Sequence, residues 1–95
     1  MAHPLSHIAV GADSRPLRPP NIYHGGILVA TSGGAATVTV YDGNDTGGTL
    51  IDRYSVAASQ HEIHALETGI ALRVGLYVDI GSNVSSFTIN YRERG

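Results

Sequence analysis

The 95-residue sequence contains no cysteine and no lysine. The absence of cysteine excludes disulfides, thiolate metal ligands and cysteine nucleophiles. All six basic residues are arginines, which are scattered along the chain and outnumbered by eight carboxylates. Because a net charge of −2 offers no general attraction for a polyanion, nucleic acid is not an expected partner.

Long apolar runs are also missing. A membrane-spanning helix requires about 20 predominantly apolar residues, and no stretch of the sequence approaches that length. The N-terminus lacks a basic segment followed by an apolar core, so neither a membrane partner nor export by a signal peptide is expected. A chain of this length forms one domain at most, which buries about 60–65% of its unfolded surface.

Proline is confined to the N-terminal part of the chain, where all four prolines precede residue 21. Proline fixes φ, removes a hydrogen-bond donor and biases the preceding residue towards extended backbone. Residues 1–22 also show no sustained period of two or 3.6. We therefore predict that residues 1–22 form an extended arm outside the sheets and that residues 23–95 form a folded head. A flexible terminus is the alternative interpretation.

Ordering such an arm requires a large contact surface. Fixing about 22 residues costs on the order of 1–2 kcal/mol each, which roughly 900–1,800 Å² of apolar burial would offset at about 25 cal/mol per Å². A small head cannot easily supply that area, so the sequence predicts that the arm lies on another protein chain. The predicted partner-binding residues are Leu5, Ile8, Val10, Arg15, Leu17 and Arg18.

From Tyr23 onward, apolar residues recur with the period of two that is typical of half-buried β-strands. Residues 37–41 alternate valine with threonine and tyrosine, and every even position in residues 70–80 is apolar. The latter run is either one long strand or two strands that separate near Gly75. With turns rich in glycine, serine, asparagine and aspartate, this pattern predicts an all-β fold. We expect a small antiparallel β-sandwich or barrel of about six or seven strands.

The segment around residues 59–69 fits two structures. Ser59 and Glu62 match a helical capping box, and Gly69 is suited to end a helix. The neighbouring segments all have strand patterns, however. We therefore predict a strand here rather than a short helix.

The loop at residues 42–48 resembles a calcium-binding loop in composition, because it contains two aspartates and an asparagine between glycines. Calcium requires six to eight oxygen ligands, commonly with a bidentate carboxylate, and the EF-hand spacing is absent. Asparagine, aspartate and glycine are also the residues that tight turns favour. The sequence therefore predicts the tip of a β-hairpin.

The histidines of the HEIH segment, His61 and His64, are three residues apart rather than the four that a helical zinc motif requires. On a strand they face opposite sides and cannot share a metal ion. On a helix they could, with a third ligand from His3, His7 or His24. We predict no metal and no cofactor, and the sequence leaves open whether His61 and His64 respond to pH.

Catalysis is not expected, because no serine lies in a nucleophile-elbow sequence and neither glycine-rich segment is a phosphate-binding loop. Tyr41 and Tyr77 instead fall on the faces opposite the apolar positions of their strands. Arg73 shares the parity of Tyr77. These three residues are therefore candidates for an oligomer interface or a sugar-binding surface.

Two runs, GGILVATSGGAATVTVYDGNDTGGTLI and TGIALRVGLYVDIGSNVSSFTINY, carry a family resemblance across residues 25–91. An apolar strand followed by an A-T-V-x-V-Y-D-G hairpin, and later a G-L-Y-V-D strand, resembles small bacteriophage virion proteins with a β-sandwich head. The N-terminal arm is not covered. No catalytic residue is carried over, because the family pattern contains none.

The resemblance implies a non-enzymatic virion structural protein at the capsid surface. In that interpretation it is a capsid decoration or cement protein that stabilises the lattice of the major capsid protein through its arm and inter-subunit contacts. Closed symmetry is usual for such contacts, so a homo-oligomer, either a trimer or a dimer, is expected. The alternative is a phage neck, tail or fibre module that binds a partner protein or host carbohydrate.

Overall fold

The computed structural model describes residues 5–19 and 21–93. These residues form eight β-strands and no helix, which confirms the all-β prediction and leaves no helix in the described ranges that could cross a membrane. The strands are β1 (Ser6–Ala9), β2 (Ser14–Leu17), β3 (Asn21–Ala30), β4 (Ala36–Asp42), β5 (Thr49–Val56), β6 (His61–Ala71), β7 (Leu76–Ile80) and β8 (Val84–Glu93).

The strands form two four-stranded antiparallel sheets. Sheet A has the order β1-β8-β3-β6, and sheet B has the order β2-β7-β4-β5. β1 and β2 are therefore edge strands on one lateral side, while β6 and β5 are the opposite edges of the same two sheets. This arrangement is consistent with a β-sandwich, and eight strands exceed the six or seven expected because two lie in the predicted arm.

The core lies between the inner faces of the two sheets. Alternation along each strand places one set of side chains inward, and full burial of a large apolar side chain contributes about 1.5–3 kcal/mol each. The largest fully buried apolar and aromatic residues are Tyr23, Leu28, Val38, Val40, Tyr54, Leu76, Val78, Phe87 and Ile89.

The predicted hairpin is present. β4 pairs with β5 up to Asp42 and Thr49. In the loop between them, the backbone N–H of Gly47 donates to Asp45 Oδ1 at 2.8 Å, and the N–H of Gly48 donates to the Asp45 carbonyl at 3.1 Å. The aspartate that suggested calcium therefore builds a side-chain turn of the kind that aspartate favours in tight loops.

Both ambiguous segments are resolved as strands. Residues 61–71 form β6, so the strand prediction is confirmed over the helical alternative. The apolar run at residues 70–80 is divided between β6 and β7, and Gly75 lies in the break with φ +143°. That φ lies in a region that favours glycine, because glycine lacks the Cβ that restricts other residues.

The N-terminal segment differs from the expectation. β1 pairs with β8 from Ser6 to Ala9, and β2, from Ser14 to Leu17, pairs with β7. The prediction of an arm outside the sheets is wrong for these eight residues and for Asn21 and Ile22, which begin β3. Proline is tolerated on an edge strand, where its missing N–H faces away from the partner. The pairing partners lie more than 50 residues away in sequence, beyond the reach of any local pattern.

Candidate functional site

An aromatic row crosses the outer face of sheet B. Tyr41 lies directly opposite Tyr77 on β7 and directly opposite Leu50 on β5, and directly opposed residues place their side chains on the same face. The ring centroids of the two tyrosines are 6.5 Å apart, with the rings tilted by 47°. Leu50 is 56% exposed. Leu50, Tyr41 and Tyr77 are called the aromatic row below.

Leu50 enters this row because of a β-bulge. Val40 pairs with Asp52, whereas the next residue, Tyr41, pairs with Leu50, so Ile51 is the extra residue. A bulge of this kind shifts the alternation of faces by one position. Ile51 consequently packs against the core, and Leu50 points outward, which simple alternation along β5 does not predict.

Charged residues border the aromatic row. The adjacent row consists of Thr39 flanked by Arg53 and Asp79. Desolvation, followed by the negative charges of Asp13 and Asp79, raises the pKa of Tyr77, so its hydroxyl remains a donor. Aromatic residues beside arginine, with charges at the border, are the composition typical of protein interfaces.

Arg73 lies beside this row rather than in it, in the turn before β7. The Asp42 carboxylate accepts hydrogen bonds from the backbone N–H groups of Arg73, Val74 and Gly75, at 2.9–3.2 Å. Burial opposes the charged carboxylate, but these hydrogen bonds lower the pKa of Asp42 below its usual range. Asp42, the residue after Tyr41, therefore fixes the backbone of the turn that contains Arg73.

The six predicted partner-binding residues of the arm divide into two groups. Val10 and Leu17 are buried in the protein's own core, and Ile8 packs against that core. The other three, Leu5, Arg15 and Arg18, are exposed. The first group therefore packs within the chain itself and is not free to bind a partner.

A polar cluster joins the two sheets at the opposite lateral side. The Tyr23 hydroxyl donates to Asp52 Oδ2 at 2.6 Å and accepts from the Tyr54 hydroxyl at 2.6 Å. His64 Nδ1 donates to the Asp52 carboxylate at 2.9 Å, and His64 Nε2 donates to Glu62. The Tyr54 ring stacks on the His64 ring, with centroids 3.9 Å apart. These five residues are called the polar cluster below.

The protonation state of the polar cluster follows from its contacts. Burial alone would lower the pKa of His64, but its hydrogen bonds to Asp52 and Glu62 raise the pKa above its usual range. Burial, more than any neighbouring charge, raises the pKa of Tyr23 and of Tyr54. The raised pKa favours the charged imidazole between the two carboxylates, and the polar cluster links the two sheets.

His61 and His64 lie where the prediction of a strand places them. His61 is exposed and His64 is half-buried, in agreement with their expected positions on opposite faces. His24 Nδ1 donates to the Leu66 carbonyl at 2.7 Å, and His7 Nδ1 pairs with Asn90. His3 lies outside the described residues. Within residues 5–19 and 21–93, no group of three or more ligands is arranged to hold a metal ion.

No family model, curated protein or solved structure matches the chain. Its function is therefore inferred from the fold, the aromatic row and the family resemblance of the sequence.

Proposed function

We propose that the protein is a non-enzymatic bacteriophage virion protein of the capsid-decoration type, which binds the major capsid protein and further copies of itself at the capsid surface. The observation that carries this proposal is the aromatic row. It combines two tyrosines and one exposed leucine on the outer face of one sheet, with Arg53 and Asp79 at its border.

Such a row suits protein association energetically. Tyrosine supplies a large apolar surface with a polar hydroxyl, and burying its ring costs little side-chain entropy. Binding energy at interfaces is concentrated in a few aromatic and arginine side chains surrounded by weaker contacts. Leu50 contributes apolar surface next to Tyr41, so the row offers a small hydrophobic centre with a charged border.

The exposed part of the N-terminal segment belongs to the same proposal. Arg15 lies in β2, at the edge of sheet B, and Arg18 follows that strand directly. Both therefore lie at the edge of the sheet that carries the aromatic row. Each contact is weak alone, but repetition of the contact by symmetry across a capsid lattice raises the overall affinity by avidity. Ile8, Val10 and Leu17 stabilise the fold that presents this surface.

The experiment compares Leu50→Ser with Ile63→Ser. The two side chains are 56% and 58% exposed, but Ile63 lies on β6 of sheet A, so it is a matched control. We expect the Leu50 variant to lower occupancy on purified capsids and self-association in sedimentation equilibrium, each by about tenfold, which corresponds to about 1.4 kcal/mol. The Ile63 variant should behave like the wild type. Equal effects of both substitutions, or none, would contradict an interface at the aromatic row.

The second candidate function is that of a phage neck, tail or fibre module that binds a partner protein or host carbohydrate. The same exposed tyrosines favour it, although the 47° tilt between their rings does not provide one flat surface for a sugar ring. Quantitative mass spectrometry of purified virions separates the two candidates. Many copies per particle support decoration, whereas a few copies support the neck or tail.

A further inference from the structure

A cleft of about 580 Å³ opens on the outer face of sheet A, away from the aromatic row. Its volume falls within the range of about 300–1,000 Å³ that is typical of small-molecule sites. The cleft crosses the sheet from β6 to the segment before β1. Its lining includes Leu5, His24, Leu66, Glu67, Asn90 and Arg92.

The cleft exists because β3 is bulged on both sides at His24. On the β6 side, residues 66–69 lie opposite His24 alone, and on the β8 side His24 and Gly25 lie opposite one residue. Gly25 adopts φ +104°, and a Cβ there would overlap the carbonyl oxygen of His64. Bulges re-aim side chains and are common beside functional sites. This one places the His24 ring at the floor of the cleft.

Two of the residues that line this cleft carry a buried nitrogen without a partner. Among the described residues, His24 Nε2 and Arg92 Nε are the buried side-chain nitrogens that have no hydrogen-bond partner. His24 is only 6% exposed. Buried polar groups are almost always paired, and an unpaired one costs about 1–3 kcal/mol. The His24 and Arg92 side chains therefore retain unused hydrogen-bonding capacity beside the cleft.

The hydrogen-bonding roles define the chemistry of that molecule. His24 Nδ1 already donates to the Leu66 carbonyl, and Glu67 contributes an acceptor to the cleft. Arg92 and the amide nitrogen of Asn90 are donors, since His7 already occupies Asn90 Oδ1. An anion would meet Glu67, and a cation would meet Arg92. Hydroxyl groups both donate and accept hydrogen bonds, so they match a cleft that presents donors and acceptors together.

We propose that this cleft is a binding subsite for a neutral saccharide. Hydroxyls of one sugar ring contact Arg92, Asn90 and Glu67, which are polar residues of the lining. Leu5 and Leu66 supply the apolar contact for the ring carbons. The site lies on the sheet opposite the aromatic row, so it stands independently of the proposed capsid role.

The test is a titration of the full ¹⁵N-labelled chain with D-glucose, D-galactose and N-acetyl-D-glucosamine, followed by NMR. We expect at least one sugar to cause saturable shifts at the amides of residues 65–67, 90 and 92, with residues 39–41 of sheet B unchanged. Linear shifts without saturation for all three sugars would overturn the proposal. Saturable binding of sodium acetate with no response to any sugar would also overturn it and identify an anion site.

Two variants keep this test independent of folding. Glu67 is exposed, so Glu67→Ala should fold normally and weaken sugar binding about tenfold, as loss of one hydrogen bond to a charged group predicts. Arg92→Gln should weaken binding at least as much. The matched control is Arg53→Gln on sheet B, which should leave the affinity unchanged. Unchanged affinity in the Glu67 variant would exclude the cleft as the binding site.

Discussion

The two lateral sides of the double sheet are closed by different chemistry. On one side, β1 and β2 form the sheet edges, where Val10, which follows β1, and Leu17 of β2 are buried apolar side chains. On the other side, β5 and β6 are joined by the polar cluster, in which His64 contacts Asp52 and Glu62.

The difference shows that a small domain can stabilise its two lateral sides by interactions that respond differently to substitution and to pH. Apolar closure depends on buried area and is nearly independent of pH. Polar closure depends on complete pairing, because a buried donor or acceptor that loses its partner keeps its full desolvation cost. The stability effects of substitutions on the two sides should therefore differ in size, in additivity and in pH dependence.

The largest effect is expected on the apolar side. Leu17→Ala removes a side chain that is 3% exposed and should lower the free energy of unfolding by about 2–5 kcal/mol, because it leaves a cavity. Urea denaturation monitored by circular dichroism measures the change. Arg18→Ala, at the exposed neighbouring position, is the control and should change stability by less than about 0.5 kcal/mol. A loss below about 1 kcal/mol for Leu17 would show that β2 is not docked on the core.

The polar side should respond next. Asp52→Ala removes the acceptor of both Tyr23 and His64 and should cost about 1–3 kcal/mol, since two partly buried donors lose their partner. Asp79→Ala, an outward aspartate of sheet B, is the control for loss of one negative charge. The double variant with His64→Ala should cost less than the sum of the single variants. Strict additivity would contradict a coupled cluster.

A smaller effect is expected where the N-terminal segment turns into β3. The Asn21 side-chain amide donates to the Arg18 carbonyl at 2.7 Å, next to a backbone hydrogen bond between the same residues. Asn21→Ala should cost about 0.5–1.5 kcal/mol and increase amide exchange in β2, which hydrogen-exchange mass spectrometry detects. Asn44→Ala, in the exposed loop, serves as the comparison. Faster exchange in β5 or β6 instead would contradict a local role for Asn21.

The smallest effect is the pH dependence of the polar side. The pKa of His64 is raised in the folded state, so its stabilising contribution is fully present below the unfolded value of about 6.5 and is lost as the pH rises through the folded value. The size should stay below about 1 kcal/mol, as partly exposed ion pairs contribute little. The stability difference between wild type and His64→Gln, measured from pH 5 to 9, should shrink as the pH rises. A stability difference that grows with pH would contradict the raised pKa of His64.

Much of the fold could be predicted from local patterns. Alternation of valine and threonine in residues 37–41 indicated β4, and the loop residues Asp45 and Gly47 indicated its hairpin. The outward placement of Tyr41 and of Tyr77, each on its own strand, follows from the same alternation, which has a period of two in any strand. These features depend only on neighbours in sequence, and the structure confirms them.

The features that could not be predicted depend on pairing between distant strands. Ser6 pairs with Tyr91, and no local signal in the four-residue strand β1 specifies that partner. The bulge at Ile51 changes the face of Leu50 without a proline or glycine to mark it. The polar cluster also requires residues from three strands, so the pairing of Asp52 with His64 could not be recognised along the sequence.

Pro16 in β2 limits how copies of this protein can associate by strand addition. An unpaired sheet edge is a template onto which another strand can add, but proline offers no N–H there. A ladder that spreads from copy to copy would therefore stop at the β2 margin. Strand addition is directed to the other three margins, at β1, β5 and β6, and contact between neighbours elsewhere must use side chains on the flat faces.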